Sequence, residues 1–236
     1  MGCSYGVNIG RISEEEKLVS AAERFLELQD IDPSTYDKEI NSQALDNYLS
    51  DLQLKHAYKS LGINYSFLKD KKSLLYKFYK SLKVGVVGYK AISLVCLGTW
   101  LSNINTKKKA EILYENFNRG CNSSFDPLDQ ENMIDEMIEV TEAIIKFAQF
   151  LYPDSNQQLD NYLKQIISGK DLLRQYLVLL ICQNEEDEKF TKKQFICAFR
   201  DKTIKKLCSS NGFRELLIEC SIVQKDINRV QQPILL

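Results

Sequence analysis

The chain repeats one plan four times, and that repeat confines it to helix–loop–helix architectures. In "AEILYENFN", Ala110, Leu113, Tyr114 and Phe117 fall at i, i+3, i+4 and i+7, one apolar face of a helix. A twelve-residue window, 118–129, follows, with Phe125 eighth, Asp126 ninth and Pro127 next. Asp before Pro predicts a helix start, because the carboxylate caps free N–H groups and proline suits the first turn. The new helix is expected to bury Met133, Ile134, Met137 and Ile138.

Upstream, "LLYKFYKSLKVGVVGYKAISLVC" repeats the plan. Leu75, Phe78, Tyr79 and Leu82 mark the incoming face, and window 80–91 has Gly85 sixth and Val87 eighth. Ile92, Val95 and Cys96 follow at the first, fourth and fifth places beyond the window. Window 42–53 puts Asp46 and Asn47 at its turn and Leu49 eighth, with Leu54, Ala57 and Tyr58 in the same three following places. Downstream, Leu173, Tyr176, Leu177 and Leu180 lead into window 183–194, with Phe190 eighth and Phe195, Ala198 and Phe199 after it. The longer interval before this last copy holds an extended helix through Tyr152, a "PDSNQQ" break and a further helix.

Composition agrees with helices. Ten Gly and four Pro in 236 residues are too few for a turn-rich all-β protein, so the expected class is all-α. A net charge of −1 gives no sign of a nucleic-acid or polyanion partner. The seven cysteines are odd in number and include no CxxC pair, which reads as reduced, partly core-filling thiols in a cytoplasmic chain. "MGCSYGVNIG" lacks the basic region and apolar run of a secretory signal. The apolar stretch "VGVVGYKAISLVCLGTWL" imitates a membrane span, but Lys90 interrupts it and the repeat assigns it to a loop and its exiting helix.

With these motifs the chain resembles the EF-hand superfamily over roughly residues 36 to 200. It looks most like four-hand proteins of the calcineurin-B-like and neuronal-calcium-sensor type, and like divergent EF-hand proteins of ciliates and other protists. The resemblance implies two lobes of paired hands. Residues 13–104 would hold an N-terminal helix and the pair with loops 42–53 and 80–91. Residues 105–236 would hold the pair with loops 118–129 and 183–194 and the C-terminal helices. Short β-bridges would join each pair at the eighth loop residues, Leu49 with Val87 and Phe125 with Phe190.

Calcium takes six to eight oxygens, from loop positions 1, 3, 5, 7 and 9 and a bidentate Glu at 12. Here position 12 reads Gln53, Ala91, Asp129 and Gln194. Window 80–91 has no carboxylate and a lysine at position 1. The least damaged window offers Asn118, Asn122, Asp126 and Asp129, although Asp129 is one methylene short and both aspartates also serve as helix caps. A second, weaker candidate is Glu185 with Asp187. The expectation is a calcium loop kept as scaffold, with no cofactor and at most weak Ca2+ binding at 118–129.

Other features add less. Residues 1–12 read as a flexible start, in which "MGCSYG" puts Gly2 in a myristoylation frame with Cys3 beside it for palmitoylation, and two acyl chains anchor a protein where one does not. Ser13–Gln29 reads as an amphipathic helix with a Ser13–Glu16 capping box, lined by Leu18, Ala22, Phe25 and Leu26. It is expected on the first lobe, or in the target groove as an internal ligand. His56, the one histidine, lies on the polar flank of its helix, and no GxGxxG, P-loop, HExxH or zinc spacing occurs. No catalytic residue is expected. The leading functional expectation is a non-enzymatic adaptor that holds a partner's apolar helix, with membrane contact through an acylated N-terminus. The alternatives are a structural subunit bound to filament subunits of a cytoskeletal or ciliary assembly, and a calcium sensor using the third hand. Localisation follows as cytoplasmic, at a membrane or on the cytoskeleton or cilium.

Overall fold

A computed structural model describes residues 12–118, 127–182 and 191–231 of the chain. In chain order these form helices α1 (Glu14–Arg24) and α2 (Pro33–Gln43), strand β1 (Tyr48–Leu49), helices α3 (Asp51–Ser60) and α4 (Leu74–Ser81), then strands β2 (Lys83–Val84) and β3 (Gly88–Lys90). Helices α5 (Ala91–Leu101), α6 (Thr106–Phe117), α7 (Pro127–Leu151), α8 (Asn156–Ser168) and α9 (Lys170–Cys182) follow. The last are α10 (Lys192–Ala198), α11 (Lys202–Lys205) and α12 (Ser210–Gln231). Among the described residues the fold is all-α apart from one small antiparallel sheet of order β1-β3-β2.

In the first two windows the helices break where local chemistry demands it, whereas most of 118–129 and 183–194 lies outside the described residues. Asp32 opens α2 by accepting from the Thr35 N–H, with Pro33 at the first helical position. Asp46 and Asn47 take left-handed φ values of 48° and 66°, which stop α2 and turn the chain into β1. Residues 84–101 do not form one helix: β2 and β3 come first, around a turn at Gly85 with φ 51°. No described helix is long and apolar enough to cross a membrane.

The repeat's apolar positions are the core. Leu54, Ala57 and Tyr58, Phe78 and Tyr79, Leu113 and Phe117, Met133 and Met137, and Leu173 and Phe195 are all buried. The second window departs from expectation. β1 pairs with β3 in the register Leu49↔Tyr89, so Leu49 does not face Val87. Tyr89 is 2% exposed whereas Val87 is 57% exposed. The frame of this copy is therefore displaced by two residues. Gly88 explains the tight pairing: with φ 133°, any Cβ there would lie 2.2 Å from the Leu49 carbonyl oxygen.

The buried apolar side chains form one continuous core across both halves. α7 is its spine, packing against α1, α4, α5, α8 and α9. Phe78 of α4 meets Phe147 of α7 with ring centroids 5.1 Å apart. Trp100 of α5 donates its indole N–H to the Leu207 carbonyl at 2.8 Å. Polar clamps reinforce the junction: Lys90 bridges Glu136 and Glu139 at 2.6 and 2.9 Å, and Asn116 donates to Asp37 at 2.7 Å.

Helix α1 does not lie on the first pair. It packs along α7 and α8, burying Val19, Ala22 and Leu26, while Phe25 is exposed. The expected capping box is half formed. Ser13 Oγ accepts from the Glu16 N–H at 3.1 Å, but the Glu16 carboxylate turns inward to Arg214 of α12 and Tyr162 of α8.

Candidate functional site

The four windows of the repeat are the candidate site, and two of them, 118–129 and 183–194, lie largely outside the described residues. In the first, Ser42 donates its hydroxyl back to the Glu39 carbonyl at 2.8 Å. Ser50, at position 9, caps α3, and its backbone N–H donates to Gln53 Oε1 at 2.8 Å. Gln53 N–H returns a bond to Ser50 Oγ at 3.3 Å, completing a capping box. The position-12 oxygen that a calcium ion would need is thus turned to the helix start.

The fourth loop ends in the same way. Thr191 caps α10, and its N–H donates to Gln194 Oε1 at 2.8 Å. Lys192 pairs with Glu115, which ties α10 to α6. The remainder of this loop, with Phe190 and the second-choice ligands Glu185 and Asp187, lies outside the described residues.

In the second loop a cationic side chain takes up the nearby carboxylate. Asp51, at the start of α3, accepts from Lys83 Nζ at 2.9 Å and from the Tyr89 hydroxyl at 2.8 Å. Partial burial pulls the Asp51 carboxyl upward, yet these two donors hold it below the usual carboxylate range. Burial, together with the Asp51 charge, pushes the Tyr89 phenol well above its ordinary value.

Of the least damaged loop, only its first ligand is described in full. Asn118 follows the end of α6 and donates its backbone N–H to the Tyr114 carbonyl at 2.9 Å. Its side-chain Oδ1 is buried and accepts no hydrogen bond among the described residues. Asn122, Phe125 and Asp126 lie outside the described residues, as do Gly2 and Cys3, and Asp129 is described only as backbone in the first turn of α7. Among the described residues, no group of three or more His, Cys, Asp or Glu is placed to hold a metal ion. His56 is exposed on α3.

Two clusters escaped sequence reasoning. In one, Arg214 has no exposed side-chain surface; its Nε donates to Glu16 at 2.9 Å and its Nη1 to Glu23 at 2.6 Å. Tyr162 donates to the same Glu16 at 2.6 Å. Burial opposes the Arg214 charge, but Glu23 and Glu16 together push its pKa further up. The signal was present in "SNGFRELLIEC", where Arg214 falls on the same helix face as Leu217. The other cluster surrounds the buried Lys109 of "NTKKKAEIL", one of three successive lysines and indistinguishable by pattern from its exposed neighbours. Comparison of the chain with protein-family models, with curated proteins and with solved structures found no match to any of them.

Proposed function

We propose that the chain is a non-catalytic, calmodulin-like adaptor built from degenerate EF-hands, which holds an apolar helix of a partner protein largely without calcium. The observation that carries this reading is the capping of helix starts by Gln53 and Gln194 at position 12. Three further features support it. The first two loops are joined by antiparallel pairing at Leu49. The incoming helix of the first unit packs on the exiting helix of its partner in both halves, α2 on α5 and α6 on α10. Exposed apolar side chains, Leu45, Leu52, Val84, Val86 and Val87, lie on or beside the two joined loops. Capture of partners from native extract, in chelator and in calcium, tests the reading. The same partner is expected in both, and should be lost with Val86→Ser combined with Val87→Ser. Capture only in calcium would overturn it.

A fixed structural subunit of a cytoskeletal or ciliary assembly is the second reading. It is favoured by the continuous core, since Phe78–Phe147 and Trp100–Leu207 join the two pairs. Such a subunit stays in the detergent-insoluble pellet, whereas an adaptor anchored through acylated Gly2 and Cys3 is released. Mass spectrometry of the native N-terminus decides the acylation itself. A weak calcium sensor is the third reading, favoured by the orphaned Asn118 oxygen.

A further inference from the structure

Away from the loops, a cleft of about 360 Å³ opens where α6, α11 and the start of α12 converge. Lys109, Lys202, Lys205 and Lys206 line it, together with Ser209, Gly212 and one carboxylate, Glu215. Lys206 is neutralised by Glu215 at 3.0 Å and Glu219 at 2.8 Å. Lys202 and Lys205 are exposed and make no ion pair among the described residues.

Lys109 is the unusual member. It is only 7% exposed, and one of its three donors reaches the Trp100 carbonyl at 3.0 Å. No carboxylate among the described residues answers its charge, although a buried ammonium ordinarily has one. Burial, which outweighs the influence of Cys208, holds its pKa below the ordinary lysine range. An anion beside it would restore the charged form.

The cleft's other groups suit the same ligand. The first turn of α12 contains no acidic residue, so no carboxylate offsets the positive end of this 22-residue helix, although Ser209 Oγ accepts from the Gly212 N–H at 3.1 Å. Gly212 lets the chain at Lys206 close on that turn: a Cβ would lie 2.5 Å from the Lys206 carbonyl oxygen. Cys208 offers no nucleophile, because burial pushes its thiol up to about 12 despite Lys109 and Lys205. The chain's net charge of −1 conceals this local excess of positive charge.

The geometry points to a binding site for a phosphate monoester, held by Lys109, Lys202 and Lys205 at the start of α12. Three uncompensated ammonium groups match a dianion better than a single carboxylate, and the volume fits a small phosphorylated molecule or a lipid headgroup. Calorimetric titration of the full chain with glycerol phosphate tests the soluble source. Flotation with phosphatidylcholine vesicles, with and without phosphatidic acid, tests the lipid source. Saturable binding in either arm is expected, weakened about tenfold or more by Lys202→Glu or Lys205→Glu, each on an exposed position. Lys109→Met should also abolish it while Trp100 fluorescence reports an intact fold. No saturable binding in either arm, or binding indifferent to all three substitutions, overturns the site.

Discussion

Gln53 Oε1 accepts from both the backbone N–H and the hydroxyl of Ser50, each at 2.8 Å. Gln194 accepts from Thr191 in the same way, at 2.8 and 2.6 Å. In both windows the twelfth side chain is thus committed to capping the helix that follows.

Calcium binding should accordingly be no tighter than about millimolar. Gln53→Glu keeps the capping box, since Glu serves it as well as Gln. It should not create a site, because positions 1 and 3 of that loop are Ser42 and Ala44. Calorimetry of chelator-treated protein checks both points. A micromolar site removed by Asp129→Asn would instead restore the third loop as a sensor.

Arg214→Met leaves the buried Glu16 and the half-buried Glu23 without their cation. Breaking such a group from one side costs about 3–5 kcal/mol. Lys at this position should recover only part of the loss, because it lacks the planar fork that meets two carboxylates at once. Urea unfolding midpoints measure each variant, and a loss no larger than that of an exposed arginine would contradict the burial described.

Asp51 gives the fold an acid-sensitive contact. Its folded pKa is depressed, so its contribution is complete above the ordinary aspartate value and is lost as pH falls through the folded value. Tyr89→Phe removes one of the two donors and should raise the folded pKa, narrowing that window. Carboxyl NMR titration of Asp51 reads the change directly, and an unmoved midpoint would show that Lys83 alone sets it.

Phe147→Ala should cost about 3–5 kcal/mol, as for other large core truncations. Because Phe78 packs against it at a tilt across the two halves, the loss should move the whole chain in one transition. Trp100 fluorescence and far-ultraviolet circular dichroism should give coincident curves. Two separated transitions would mean the halves fold as independent lobes.

Much of this fold was legible in the sequence, for identifiable reasons. Periodicity found the buried faces of α3, α6 and α7, because each carries polar residues on its other side to fix the phase. It failed at the second loop because α5 is buried almost all round: Leu94, Val95, Cys96 and Leu97 are each at most 1% exposed. A helix without a polar face accepts any frame, and the pairing partner of Leu49 was misplaced by two residues. The site reading ran short for another reason. Residue identity showed that position 12 lacked a Glu, but not that Gln53 and Gln194 had taken up capping. Nor could pattern show which lysine of the triplet at 107–109 points inward, since that depends on the distant segment around Cys208.

The contact between Glu16 and Arg214 also orders events in time. On the ribosome, the partner of two inward-facing carboxylates emerges only after nearly two hundred further residues have been made, so α1 has no electrostatic reason to dock until then. At about 5–20 residues per second, that delay is on the order of ten seconds or more. During synthesis the ion pairs that secure the first helix are therefore completed late, and a nascent chain stalled before α12 would hold Glu16 and Glu23 against α7 and α8 without their cation.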